Sequence, residues 1–489
     1  MSAAGLTRQV AEWVSGVKYE DLPRRVVEEA KNQLLSVIAA VHAGHFSDFG
    51  RGLRRTVKDW SSGKDATIIP LGERTSLHTA IFANSALSSA LEYGDHLFAA
   101  HTGHSAVVSA IALGEKVGLS GKQLIVAQVV ANEIEGRLGA ALLAAGDSME
   151  ALPACHLVGS AVVAARAFEL DADATHAALG LALMQPMRAL EPTFFGSDGR
   201  PVVAASSAPL GVQAAQLAAS GWACDVDVLG HPRGLLASLA AKPVDDAFSA
   251  LGSAWLTETL CYKIYPVHAG IATIVDCVLD IGRQHSIDPK KVRAVQVAAS
   301  PLAVEVDERA RGYLAGPATA AGTIAYSIGY NVAAAIADKE LSARQLTRDR
   351  INDEALWELA GKVQVARDEI FAERAEAAWL AKRSGDGSRW LVDLDPLHVS
   401  QFRMSAGARV RIELEDGRSF EAEEEVAEGA AGRAYDDRRK AVEDKFRRET
   451  RYSLRKERME KAVDLVLHLE RASAANVREL VRLVCSERG

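Results

Sequence analysis

Apolar positions repeat with a helical period through most of the first half of the chain. After the turn-like Asp21-Leu22-Pro23, the residues Val27, Ala30, Leu34, Ile38 and Val41 fall on one face, and the pattern predicts a helix that ends at Gly44. From Ser105 to Val117 an Ala/Val-rich helix runs into Leu119-Ser120-Gly121, where Ser120 and Gln123 have the spacing of a capping box for the next helix. That helix carries Leu124, Val130, Ile134 and Leu138 inward. Further Ala-rich patterns cover about 156–170, 174–190 and 208–221, so the first half reads as a helical bundle with short connections.

The period changes after about residue 262. Val295, Val297 and Ala299 alternate as in a strand, and Val363 with Val365 marks another. Val410, Ile412 and Leu414 alternate with charged residues up to Asp416-Gly417, after which Phe420 and Ala422 resume the alternation, the signature of a hairpin. Beyond Gly432 the pattern returns to charged helix, Asp437 to Arg451 and then Met459 to Leu469, read as solvated helix faces that rejoin the first unit. The expectation is a mainly α protein with a helical domain over 1–262 and 432–489, and a smaller α+β domain over 263–431 packed against it.

Composition narrows this picture. A chain of 489 residues exceeds what one core usually supports, and 48% hydrophobic with only 6% aromatic residues points to a core of Ala, Val and Leu between close helices. A net charge of −8 and a pI near 6.0 argue against a nucleic-acid or anionic-membrane surface, so an anionic ligand would need a local basic pocket. Cys155, Cys224, Cys261, Cys277 and Cys485 are scattered without a C-x-x-C pair, which suits a reducing cytoplasm and indicates neither zinc nor disulfides. The N-terminus carries no leader-like pattern. The apolar stretch Val202 to Ala219 is interrupted by Ser206, Ser207, Pro209 and Gln213, as in a buried helix rather than a membrane span.

Signatures for nucleotide, nicotinamide, serine-hydrolase and zinc-protease chemistry are absent from the sequence. The conspicuous segment runs from Glu92 through Tyr93, Gly94, Asp95 and His96 to His101 and His104, two carboxylates and three histidines in thirteen residues. Helix capping, a metal held by His96, His101 and His104, and acid–base catalysis compete as explanations. The histidine spacing matches no compact zinc signature, and acid–base chemistry is the preferred reading.

The same segment carries a family resemblance. Leu91-Glu92-Tyr93-Gly94-Asp95 resembles the L-D-F-D-D stretch of MmgE/PrpD proteins, Lys263-Ile264-Tyr265-Pro266-Val267-His268 their K-x-[YF]-P motif, and Tyr326-Ser327-Ile328-Gly329-Tyr330 their F-S-x-x-Y. Leu22-Pro23 with Ala30 and Leu34-Leu35, Gly118 to Gly121 through Ile134 to Leu138, and Asp444-Lys445-Phe446 are also similar. The resemblance implies a helical domain made from both chain ends, an α+β lid, a homodimer, a cleft active site and no cofactor. It further implies chemistry beside a carboxylate on a small polycarboxylic acid, as in 2-methylcitrate dehydratase, cis-aconitate decarboxylase or iminodisuccinate epimerase.

Carried over position by position, the resemblance implies His101 as base, placed by its fourteen-residue distance to Glu115, and His156 as acid. Lys263 and Arg200 are then expected to meet substrate carboxylates and the enediolate charge, Tyr330 to donate to the departing group, and Glu92 and Asp95 to orient His101, with His96 and His104 beside the substrate. Dehydration of a 2-hydroxy acid is the leading reading, with decarboxylation, epimerisation or binding without turnover as alternatives. Gly94, His96, Thr102 and Ser36 replace an acidic residue, Thr, Pro and Asp of the family pattern, and the stretch Arg383 to Gly387 adds length to the lid.

Overall fold

The computed structural model describes residues 5–145, 151–184, 188–239, 244–378, 381–383 and 390–486. Its centre is the helix Arg24–Phe46, buried on all sides from Val26 to Gly44 rather than along one stripe. It does not stop at Gly44. A Cβ there would collide with the Leu87 carbonyl of the crossing helix Leu77–Ser89, so this glycine marks a close helix approach inside the element. The helix Tyr435–Thr450 packs along the same central helix, and Lys456–Leu467 joins them from the far end of the chain.

Gly121–Ala145, Leu152–Ala167, Ala172–Ala182 and Val202–Ala219 form the other half of the bundle, where Ala-rich surfaces let the helices approach closely. The Ser120/Gln123 capping box is present, with Gln123 accepting from the Ser120 backbone at 3.0 Å. The preceding helix, Ala106–Leu113, loosens into a wider π-type turn over Gly114–Gly118. Val202–Ala219 is long and apolar enough to cross a membrane by length and composition alone; here it packs on Leu152–Ala167 and Leu77–Ser89.

A four-stranded sheet follows, ordered Ser419–Glu424, Ala408–Leu414, Val292–Ala299, Val363–Arg367. The hairpin pairs Val410 with Ala422 and Ile412 with Phe420 across a turn in which Gly417 takes a φ of 86°. Val295, Val297, Val410 and Ile412 point to one buried face, covered by the helices Ala272–Gln284 and Ile328–Asp338. Residues 381–383 and 390–392 do not join this sheet. They pair with each other and with Val244–Asp245, next to the long helix Gly121–Ala145, so this part of the expected lid packs on the helical bundle. The length-adding stretch itself, 384–387, lies outside the described residues.

The expectation of a solvated charged face fails for the helix Tyr435–Thr450. Arg438 and Lys445 are buried: Arg438 pairs with Glu29 and donates to the Leu260 carbonyl at 2.8 Å, while Lys445 donates to the Ser36 hydroxyl at 3.0 Å and the Tyr93 carbonyl at 2.6 Å. These bonds seat the helix Tyr435–Thr450 against the segments that carry the charged loop and Lys263. Replacing Arg438 by Met should leave Glu29 buried without its cation and lower unfolding free energy by about 3–5 kcal/mol, read by urea denaturation. Adding Glu29→Gln should recover part of that loss.

Candidate active site

The charged loop is held in shape by its own carboxylate. After the helix Leu77–Ser89 the chain passes through Glu92 at φ 55°, pairs Asp95 and His96 antiparallel with Tyr262 and Cys261, and turns tightly where Leu97 and Ala100 exchange both backbone hydrogen bonds. Asp95 is fully buried; its Oδ2 accepts from Gln33 Nε2 at 2.6 Å, Gly103 N at 3.2 Å and Thr102 Oγ1 at 3.3 Å. Gln33 in turn bonds Asn132 and Gln128 of the long helix, so the loop is fixed to both central helices. Burial pushes the Asp95 carboxyl up, against the donors that pull it down.

Glu92 is the node of the site. One carboxylate oxygen pairs with Lys263, the other with Arg200, and the Tyr326 hydroxyl donates to it at 3.2 Å. Arg200 also donates to the Ser89 carbonyl at 2.9 Å and lies over the Phe194 ring at 5.3 Å. Burial holds the Lys263 ammonium well below its ordinary pKa, and the neighbouring Arg200 charge adds to the effect. A glutamate in the left-handed region is uncommon and costs about 1–2 kcal/mol; the two cations hold it there.

The imidazoles differ in which nitrogen is free. His101 Nδ1 lies 3.2 Å from the Asp95 carbonyl, which can only accept, so Nδ1 carries the proton and Nε2 is left with its lone pair. His268 is the reverse: its Nδ1 accepts from the Gly270 backbone at 3.2 Å, which makes Nε2–H a donor. Burial, and then the Lys263 charge, hold both well below the usual histidine range, and lower His96 to about 3. All three line one cavity of about 310 Å³, together with Glu92, Lys263 and Tyr326.

The other expected site residues stand behind this lining. His104 stacks on His101 at 5.9 Å, with Nδ1 2.8 Å from the Ser88 hydroxyl. Gly94 is explained by that ring, since a Cβ at position 94 would strike it. His156 is a layer deeper: its Nδ1 is 2.9 Å from the Ser105 hydroxyl, which also bonds Glu135, and burial lowers it to about 4. It therefore does not reach the cavity as the acid the resemblance implied. Asp95 positions the loop, and Arg200 acts on the cavity through Glu92. Among the described residues no three potential ligands converge as a metal site would require.

Tyr330, expected to donate to the departing group, does not line the cavity. Ser327 caps the helix Ile328–Asp338, which turns Tyr330 into the α+β core, where its hydroxyl donates to the Gln345 carbonyl at 2.7 Å and its ring packs on Trp357. Tyr326, one residue before the cap, is the tyrosine that reaches the cavity. Both it and His268 lie inside motifs singled out from the sequence, yet neither was assigned a role; only the cap at Ser327 and the turn after Pro266 decide which side chain faces inward.

Family models for the MmgE/PrpD N-terminal domain and the MmgE/PrpD C-terminal domain match residues 8–246 and 265–469. Among curated proteins, the chain is 24% identical to the cis-aconitate decarboxylase-like protein oryM of Aspergillus oryzae, over 99% of this chain and 98% of that protein. It is 23% identical to a cis-aconitate decarboxylase of Aspergillus terreus, over 85% and 84% of the respective chains.

The buried histidines give stability a defined pH dependence. His96, lowered to about 3, and His156, lowered to about 4, are neutral in the fold, whereas in the unfolded chain they protonate near 6.5. Their contribution is fully present above pH 6.5 and is lost as pH falls toward 4 and 3, at up to about 1.4 kcal/mol per pH unit for each group. In urea titrations between pH 7.5 and 5, His96→Gln should show a shallower decline than wild type by one such increment. Parallel declines would contradict a neutral buried His96.

Proposed function

The chain belongs to the MmgE/PrpD family, and from that premise we propose a lyase that removes a proton beside a carboxylate of a small polycarboxylic acid. Lyase chemistry is what family membership and the two relatives support. The observation that carries the finer step is the His101 tautomer: with Nδ1 tied to the Asp95 carbonyl, Nε2 is an unprotonated base on the cavity lined by Lys263.

A substrate carboxylate docks at Lys263, and the charge that develops on it when the α-proton leaves is met by the ammonium and the His268 Nε2–H, while the Tyr326 hydroxyl stays on Glu92. Burial holds His268 neutral, so its Nε2–H serves as a hydrogen-bond donor rather than a cation; the proton for a departing hydroxyl comes from His101, which becomes an imidazolium on taking the α-proton. This supports elimination of water from a 2-hydroxy acid, with His101 carrying the proton from carbon to the leaving oxygen and His268 facing the substrate as a hydrogen-bond donor. A second reading, loss of carbon dioxide from a cis-aconitate-like acid, rests on what the two Aspergillus relatives are named for. In that case His101 would deliver to carbon a proton taken up from solvent as carbon dioxide leaves, one proton being consumed per turnover.

Proton NMR in deuterated buffer with citrate, 2-methylcitrate, cis-aconitate and iminodisuccinate distinguishes these. Elimination should appear as an alkene with loss of water, decarboxylation as loss of carbon dioxide with one deuteron incorporated. His101→Gln should lower kcat at least about 100-fold with little change in ligand binding. No deuterium uptake or product with any related acid would overturn the proposal. Because His101 stays neutral well below pH 6.5, kcat/KM should hold level from pH 8 to below 6 rather than fall with a pKa near 6.5.

A further inference from the structure

The cavity is charged at its floor and apolar above it. Glu92 gives one oxygen to Lys263 and one to Arg200, so three buried ionic groups leave a single surplus positive charge beneath the substrate. The histidines add none, since burial keeps them neutral. A small acid with three carboxylates would therefore set at least one of them against the walls. Those walls are hydrocarbon: Phe98 and Phe402, with ring centres 5.3 Å apart, face the cavity with Ala140, Leu143, Leu302 and Val306. They come from four separate parts of the chain. At the mouth Arg309 is taken up by Glu305 at 2.6 Å, leaving exposed Arg403 as the lining cation without an ion pair among the described residues.

Phe98 strengthens the case. It is held at φ 52°, in the tight turn between Leu97 and Ala100, a backbone conformation that bulky residues rarely adopt. That turn sets a large ring in the wall three residues before His101. Desolvating a carboxylate against such a surface is costly, whereas burying methylenes there contributes about 0.8 kcal/mol each.

We propose that the acid taken by this site carries an aliphatic arm of several carbons, its carboxylate head on Lys263 and its arm between Phe98, Phe402, Leu143 and Leu302. This deepens the proposed function for the same cavity and rests on it for the carboxylate floor.

The test needs no turnover. Alkylsuccinates share one dicarboxylate head and differ only in the arm, so isothermal titration with succinate and with butyl-, hexyl- and octylsuccinate isolates it. Affinity should rise by about three- to fourfold per methylene until the arm reaches the mouth. Ala140→Leu, which fills the wall, should abolish the rise while leaving succinate affinity within about twofold; Phe402→Ala, on a half-buried ring, should flatten it by removing the opposing surface. Affinity that is flat or falls with chain length, with succinate bound, overturns the arm and leaves the proposed chemistry standing. No binding by any member, succinate included, overturns the carboxylate floor and the arm with it.

Discussion

The pairing of Glu92 with Lys263 and Arg200 is the constraint on which the site depends. Three ionised groups out of water are tolerable only in close mutual contact, so each fixes the segment that carries it. Glu92 brings the loop after the helix Leu77–Ser89, Arg200 the approach to Val202–Ala219, and Lys263 the strand that leads into the α+β region. Tyr326 adds a fourth segment through its hydroxyl. Moving any one would strand a buried charge. The cavity can thus be open to a ligand while its floor stays rigid, which is the preorganisation that charge development in a transition state requires.

Behind the floor lies a second layer of hydrogen-bonded polar side chains, in which Asp95 Oδ1 and Gln128 Oε1 are buried without a partner. Gln128 and Asn132 hold Gln33, Gln33 holds Asp95, Asp95 holds Thr102 and Gly103, and its carbonyl holds His101. Lys445 reaches the Tyr93 carbonyl from the helix Tyr435–Thr450, and burial lowers its ammonium to about 7. Its partner there is the hydroxyl of Ser36, at the position where the family pattern has an aspartate. A neutral partner leaves that ammonium less compensated, which fits the downward shift. Apolar packing alone would not fix a tautomer; this network of directional bonds does.

The gross fold was legible because it is written in periodicity. The helical bundle, the strand at Val295, its parallel neighbour at Val363 and the hairpin around Gly417 all follow from spacing and turn chemistry. Buried polar contacts were not legible. The charged run from Asp437 looks solvated because periodicity cannot tell that Arg438 and Lys445 meet Glu29 and Ser36, some 400 residues earlier. Gly44 looked like a stop for the same reason, since only the crossing helix reveals why a side chain is excluded.

Within the candidate site, the segments singled out from the sequence reach the cavity, but not every side chain chosen from them does. Glu92, His96, His101 and Lys263 converge on the cavity, while His156 and Tyr330 are turned into the interior and His268 and Tyr326 take the facing positions. Motif spacing names a segment; a cap or a proline turn selects the residue. The account rests on which nitrogen of His101 bears the proton, and nitrogen-15 NMR of histidine-labelled protein at neutral pH, assigned with a His101→Gln control, reads that directly. A neutral ring protonated at Nδ1 with Nε2 free is the predicted result. An imidazolium, or a neutral ring protonated at Nε2, would contradict the assignment of His101 as the base.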